Sequence, residues 1–205
     1  MSMVKICGLS RECDIDYVNS SKPDYVGFVF SNSKRRVTPK QAEKLKLKLS
    51  SGIKAVGVFV NEPLELIADL CRQNIIDVVQ LHGDEDNDYI SKVKSITGKS
   101  VIKAVRVQST QQILQAEALN CDCLLLDTYK KSTYGGVGES FNWQLIPTAL
   151  KKPFFLAGGL NTENVETAIK TVQPYCVDVS SGVETDGFKD EKKIRDIIEK
   201  VRRTH

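Results

Sequence analysis

The sequence predicts an α/β protein folded as a single (βα)₈ barrel, a closed parallel sheet ringed by helices. Three observations carry this. Short apolar or β-branched runs alternate with longer amphipathic segments along the whole chain, and the runs number eight. The units are compact, with no break in composition. Polar, chemistry-bearing residues stand at the C-terminal end of nearly every run, as at the active face of a barrel. An open doubly wound sheet is the competing architecture, and it would gather such residues at one switch point. A chain of 205 residues suits one core, so one domain over residues 1–205 is expected.

The strand-like runs are residues 4–8, 25–30, 55–60, 78–82, 101–107, 123–127, 154–157 and 176–179. Each is followed by helical spacing, clearest over 39–49, 64–73, 110–119, 162–172 and 190–203. Thr38-Pro39, Asn61-Glu62-Pro63, and Asn161 or Thr162 before a Glu-bearing turn are helix starts. The unit after Asp127 differs: a polar, Gly-rich stretch precedes a short helix near residues 143–150.

Composition excludes several classes. Hydrophobic residues make up 41% and charged residues 27%, a globular balance. A net charge of +3, with Lys and Arg spread along the chain, argues against nucleic acid as a partner. No stretch of ~18 apolar residues is present to span a membrane, and the opening Met-Ser-Met-Val-Lys has no secretory leader pattern. The six cysteines form no CxxC pair and only two histidines accompany them, so no metal site is expected. Cysteines inside apolar runs point to the reducing cytoplasm. With no long apolar surface helix, a monomer is expected.

Strand alternation puts Lys5 and Cys7 on one side of the first run and Val4 and Ile6 on the other. The apolar pair belongs under the helices, so Lys5 and Cys7 point into the barrel. The sixth run ends on Asp127, a carboxylate costly to bury unless used or paired. The eighth carries Asp178 inward, and closure sets it beside the first run, where Lys5 and Asp178 can pair beneath the site. Taken singly, a strand-end Cys is often inert packing and a strand-end Asp often a helix cap. Both at one end of one barrel read as an acid–base pair.

Loops seven and eight point to phosphate. Gly158 and Gly159 lead toward a helix whose first-turn amides and dipole suit an anion, and Ser181 and Gly182 allow close backbone approach. Gly-Gly also makes a plain tight turn. Ser33-Lys34-Arg35-Arg36 after the second run is either a solvated charge run or a carboxylate clamp. His82 ends the fourth run at the same face, either as a structural hydrogen-bonding residue or as a pocket residue.

Lys5-Ile6-Cys7-Gly8, Gly27-Phe28-Val29-Phe30 with Ser33-Lys34-Arg35, Val56-Gly57-Val58-Phe59-Val60-Asn61, Val79-Gln80-Leu81-His82-Gly83, Leu125-Leu126-Asp127, Gly135-Gly136-Val137-Gly138, Ala157-Gly158-Gly159-Leu160 and Val177-Asp178-Val179-Ser180-Ser181-Gly182-Val183-Glu184 occur in this order. Together they resemble the phosphoribosylanthranilate isomerase family of tryptophan biosynthesis, over essentially the whole chain. The resemblance implies a (βα)₈ barrel, no cofactor, a small phosphorylated substrate, and an Amadori rearrangement of N-(5-phosphoribosyl)anthranilate to 1-(2-carboxyphenylamino)-1-deoxyribulose 5-phosphate. It implies Cys7 as general base, Asp127 as general acid and Arg35 as the contact of the anthranilate carboxylate. Two positions depart from the family. Arg36 stands where an aromatic or apolar residue is common, and Asn142 where Asp is common, though Asn caps a helix equally well.

That chemistry needs opposite tuning of its two groups. A free Cys is only about 3% thiolate at pH 7 and a free Asp is almost wholly ionised. Lys5, if close, is expected to favour the Cys7 thiolate, and apolar neighbours such as Leu125 to disfavour ionised Asp127. Other phosphosugar barrels share the phosphate loops, but not Cys7, Asp127 and Arg35 together. A catalytically silent phosphometabolite-binding module is the rival from another class.

Overall fold

The computed structural model describes residues 2–128 and 142–204. The strands are β1 (Met3–Cys7), β2 (Tyr25–Val29), β3 (Lys54–Phe59), β4 (Val78–Leu81), β5 (Ser100–Val107), β6 (Cys123–Thr128), β7 (Phe154–Leu156) and β8 (Cys176–Val179). They pair in parallel, each with the next and β8 with β1, into a closed barrel. The fold is the predicted (βα)₈ barrel. The helices between strands are α1 (Glu12–Ser21), α2 (Pro39–Lys48), α3 (Leu64–Arg72), α4 (Asn87–Thr97), α5 (Thr110–Glu117) and α6 (Val165–Val172), with α7 (Glu191–Arg203) following β8.

Alternation divides the core into two apolar bodies. Val4, Ile6, Val26, Phe28, Leu124, Leu126, Val177 and Val179 face outward and meet the helices. Tyr25, Val56, Val78, Ile102, Leu125, Phe155 and Cys176 fill the barrel interior. The 190–203 segment shows how strongly pattern sets the outer layer. Ile194, Ile197, Ile198 and Val201 form its buried stripe, and Asp190 caps it by accepting from the Lys193 amide.

Two local expectations are corrected and one element is added. Of residues 143–150 only Trp143–Leu145 is helical, as a single 3₁₀ turn. Pro147 lacks an N–H and forces Ile146 to extended backbone, which ends the turn, although Asn142 does cap it through the Gln144 amide. The helix expected over 162–172 begins at Val165, because Asn161 Oδ1 accepts from the amides of Glu163 and Asn164 and holds a separate turn there. Beyond β8 the chain adds an antiparallel hairpin, β9 (Glu184–Thr185) with β10 (Phe188–Lys189), which periodicity did not disclose. The Gly135-Gly136-Val137-Gly138 motif lies outside the described residues.

Candidate active site

The C-terminal ends of the strands open onto a cavity of about 460 Å³. Cys7, Arg35, His82, Asp127, Gly158, Gly159, Asp178 and Ser181 all line it, and so does Gln80. Lys5 lies fully buried beneath, and Gly182 stands behind the wall. A Cβ on Gly182 would come within 1.9 Å of the Leu160 carbonyl oxygen, so loops seven and eight touch backbone to backbone through this glycine.

Lys5 and Asp178 sit side by side in the β1–β8 register, and Lys5 Nζ donates to Asp178 Oδ2 at 2.7 Å. The ammonium also donates to Gln80 Oε1 at 2.8 Å. Burial opposes the charge on Lys5, but the Asp178 carboxylate outweighs it and raises the lysine above its ordinary range. The expected ion pair exists, and it has Gln80 as a third member.

Cys7 departs from expectation. Burial raises its thiol above the ordinary value, and Asp178 adds to the rise. Lys5 and Lys189 pull the other way without cancelling it. Lys5 spends its charge first on Asp178, so its help to a thiolate is partial. Room for the sulfur comes from Gly27 on the adjacent strand, where a Cβ would stand 2.6 Å from Cys7 Sγ.

Asp127 is buried, and its Oδ1 accepts from the Thr128 amide at 2.7 Å. His82 Nε2 approaches Asp127 Oδ2 to 3.2 Å. It makes no aligned hydrogen bond among the described residues, and neither does Asp178 Oδ1. Gly158 adopts a φ of +83°, and a Cβ there would fall 2.8 Å from Asp127 Oδ1. Only glycine allows this close passage in the left-handed region.

Arg35 reaches the cavity, but its Nε and Nη2 donate at 2.6 and 2.8 Å to the two oxygens of Glu184. Lys189 Nζ donates to the same carboxylate at 2.7 Å. One planar edge of the guanidinium is therefore spent on the protein, and the end-on edge, made of Nη1 and the second hydrogen of Nη2, is left over among the described residues. Burial works against the Glu184 charge, yet Arg35 and Lys189 hold its carboxyl at about 2, against an ordinary 4.5. The stability this contributes is complete above the ordinary value and is lost as pH falls toward 2. Glu184→Gln is expected to flatten the fall of Tm between pH 4.5 and 2 relative to the unsubstituted chain, as followed by thermal melts. Parallel curves would mean that the carboxylate carries no such linkage.

The backbone donors expected to face an anion are also rearranged. The amide of Asn161 donates to Asn164 Oδ1, and those of Glu163 and Asn164 to Asn161 Oδ1. The helix start is thus capped by its own side chains rather than open to an anion. The amides of Gly159, Leu160 and Ser181, which precede it or face it, have no acceptor among the described residues.

Sequence reasoning missed Gln80, Glu184 and Lys189. For Gln80 a signal was present, since alternation places it inward with His82. Among the described residues no group of three or more His, Cys, Asp or Glu side chains is arranged to hold a metal ion. No described helix is long and apolar enough to cross a membrane.

The family model described as N-(5'-phosphoribosyl)anthranilate (PRA) isomerase matches residues 4–200. The chain belongs to this family. The N-(5'-phosphoribosyl)anthranilate isomerase of Thermoanaerobacter pseudethanolicus is 50% identical over 203 residues, covering 98% of each chain. A phosphoribosylanthranilate isomerase solved with reduced 1-(o-carboxyphenylamino)-1-deoxyribulose 5-phosphate superposes with a TM-score of 0.85 at 38% identity, covering 98% of this chain and 99% of that one. A structure of monomers generated from the dimeric isomerase of Thermotoga maritima has the same TM-score of 0.85, identity of 38% and coverage of 98% and 99%.

Proposed function

We propose that this member of the PRA isomerase family converts N-(5-phosphoribosyl)anthranilate to 1-(2-carboxyphenylamino)-1-deoxyribulose 5-phosphate in tryptophan biosynthesis, with Cys7 as general base and Asp127 as general acid. The observation that carries the assignment of roles is the shared cavity. A thiol and a carboxyl from β1 and β6 face one chamber, with loops seven and eight on its rim.

Asp127 gives its proton to the ring oxygen as the C1–O bond breaks, leaving an iminium between C1 and the anthranilate nitrogen. The iminium draws electrons from the C2–H bond, and Cys7 takes that proton. The electron pair forms C1=C2, and the resulting enolamine tautomerises to the C2 ketone when C1 gains a proton. Positioned acid–base groups of this kind contribute about 10²–10⁴-fold.

The phosphate is assigned to the loop amides of Gly159 and Ser181, with Gly158 and Gly182 allowing the backbone to close around it. Asp178 Oδ1, buried with no partner among the described residues, is the natural acceptor for a sugar hydroxyl, since leaving such a group unmet costs about 1–3 kcal/mol. Lys5 supports Asp178 from below, and His82 borders the acid. Arg35 meets the anthranilate carboxylate end-on through Nη1 and the second Nη2 hydrogen, because Glu184 holds its other edge. Cys7, Arg35 and Asp127 of one chain share one cavity, which supports a monomer as the working unit, and all six cysteines are free thiols, as suits the cytoplasm.

A fluorescence assay following loss of the substrate tests the activity, together with rescue of a tryptophan auxotroph. Absence of both would overturn the assignment. In the same assay Arg35→Ala is expected to raise KM about tenfold or more, the scale of a lost charged hydrogen bond, with a smaller change in kcat. An unchanged KM would move the carboxylate contact elsewhere.

A further inference from the structure

Lys5, Gln80, His82 and Asp127 form a single file across the barrel from β1 through β4 to β6, and the direction of the donors from Lys5 to His82 is determined. An ammonium has three donors and no acceptor, so the Gln80 atom facing Lys5 Nζ at 2.8 Å is its carbonyl oxygen. The Gln80 amino group then points the other way, to His82 Nδ1 at 2.9 Å. An amino group only donates, so Nδ1 is an acceptor and carries no proton. The imidazole proton resides on Nε2, the nitrogen 3.2 Å from Asp127 Oδ2.

We infer that Gln80 is a positioning residue of the active site, holding His82 in its Nε2–H tautomer so that the histidine faces Asp127 as a donor only. This rests on the reading of Asp127 as the proton donor. A buried carboxyl next to an imidazole ordinarily risks surrendering its proton to the ring. Here Nε2 is already protonated and Nδ1 is tied to Gln80, so the ring has no free lone pair to receive it. The proton of Asp127 therefore leaves toward the cavity and not into the imidazole. The orientation originates in the Lys5–Asp178 pair, whose fixed ammonium orients the amide. The pair thereby acts on the acid from the far side of the barrel, through two intermediaries.

The chain has two histidines, His82 and His205, which makes the ring nitrogens readable one by one. In the ¹⁵N-histidine spectrum of the unsubstituted protein at neutral pH, His82 is expected to show a bare Nδ1 and a protonated Nε2. A protonated Nδ1 overturns the proposal without any variant. Gln80→Glu keeps an acceptor for Lys5 but replaces the donor at His82 with a second acceptor, so Nδ1 is expected to gain a proton. Turnover should then fall about tenfold, the scale of one misdirected hydrogen bond, with KM within about twofold. A switched spectrum with unchanged kcat would sink the positioning role, and so would an unswitched spectrum. The spectrum does not depend on the role of Asp127. Full turnover in Asp127→Asn would refute the acid assignment while leaving the tautomer measurement intact.

Discussion

Cys7→Ser is expected to lower kcat by about 10²–10⁴-fold while leaving the circular dichroism and the melting transition unchanged. Sulfur and oxygen are close enough in size for serine to occupy the space that Gly27 leaves beside the strand. The difference is acidity. The thiol is already raised by burial, and a hydroxyl in the same place starts far higher. The pH profile carries a second signature. Because the raised thiol is mostly protonated at neutral pH, the active thiolate fraction grows as pH rises toward its folded value. Turnover of the unsubstituted enzyme should therefore climb through neutrality and above, on a limb absent from Cys7→Ser. Near-normal turnover in the variant would remove Cys7 from the role of base. A rate flat with pH would show that the proton transfer to Cys7 is not limiting.

Asp178→Ala is expected to destabilise the fold by about 3–5 kcal/mol, the cost of stranding a buried charge, measured by chemical denaturation. Lys5 is wholly excluded from solvent, and Asp178 is the carboxylate that its ammonium meets among the described residues. Gln80 retains its contact with the ammonium, but a neutral amide does not replace a carboxylate. Replacing both members, as in Lys5→Met with Asp178→Leu, should recover much of the loss, since removal of the pair leaves no orphan charge. A single-variant loss below about 1 kcal/mol would mean that Lys5 is already compensated without Asp178.

Much of this was legible in the amino-acid sequence. The period-two alternation of Val4, Lys5, Ile6 and Cys7 decided which side chains turn inward, and closure of an eight-strand barrel brings the last strand to the first. Those two facts alone are enough to predict Lys5 beside Asp178. Arg35 was placed at the right face because it follows the C-terminal end of the second strand, but its partner was not foreseen. Glu184 lies past the last barrel strand, in a hairpin too short to have a period, and only its fold-back delivers it to loop two. Gln80 was overlooked because a neutral amide leaves no charge signal, and its importance arises from what stands on either side of it. The acidity of Cys7 was misjudged because desolvation depends on depth, which no pattern of letters encodes. The start of α6 was misplaced because Asn161 and Asn164 satisfy one another's backbone before the helix begins.

The Arg35–Glu184 contact joins residues 149 positions apart, and Lys5–Asp178 joins residues 173 apart. Neither can form while the ribosome still holds the last quarter of the chain, and loop closures of this span come late in folding. The groups that orient the cavity are therefore assembled by the same event that seals the barrel. A nascent or truncated chain has its thiol and its acid but nothing to aim them, and it acquires its chemistry only when its two ends meet.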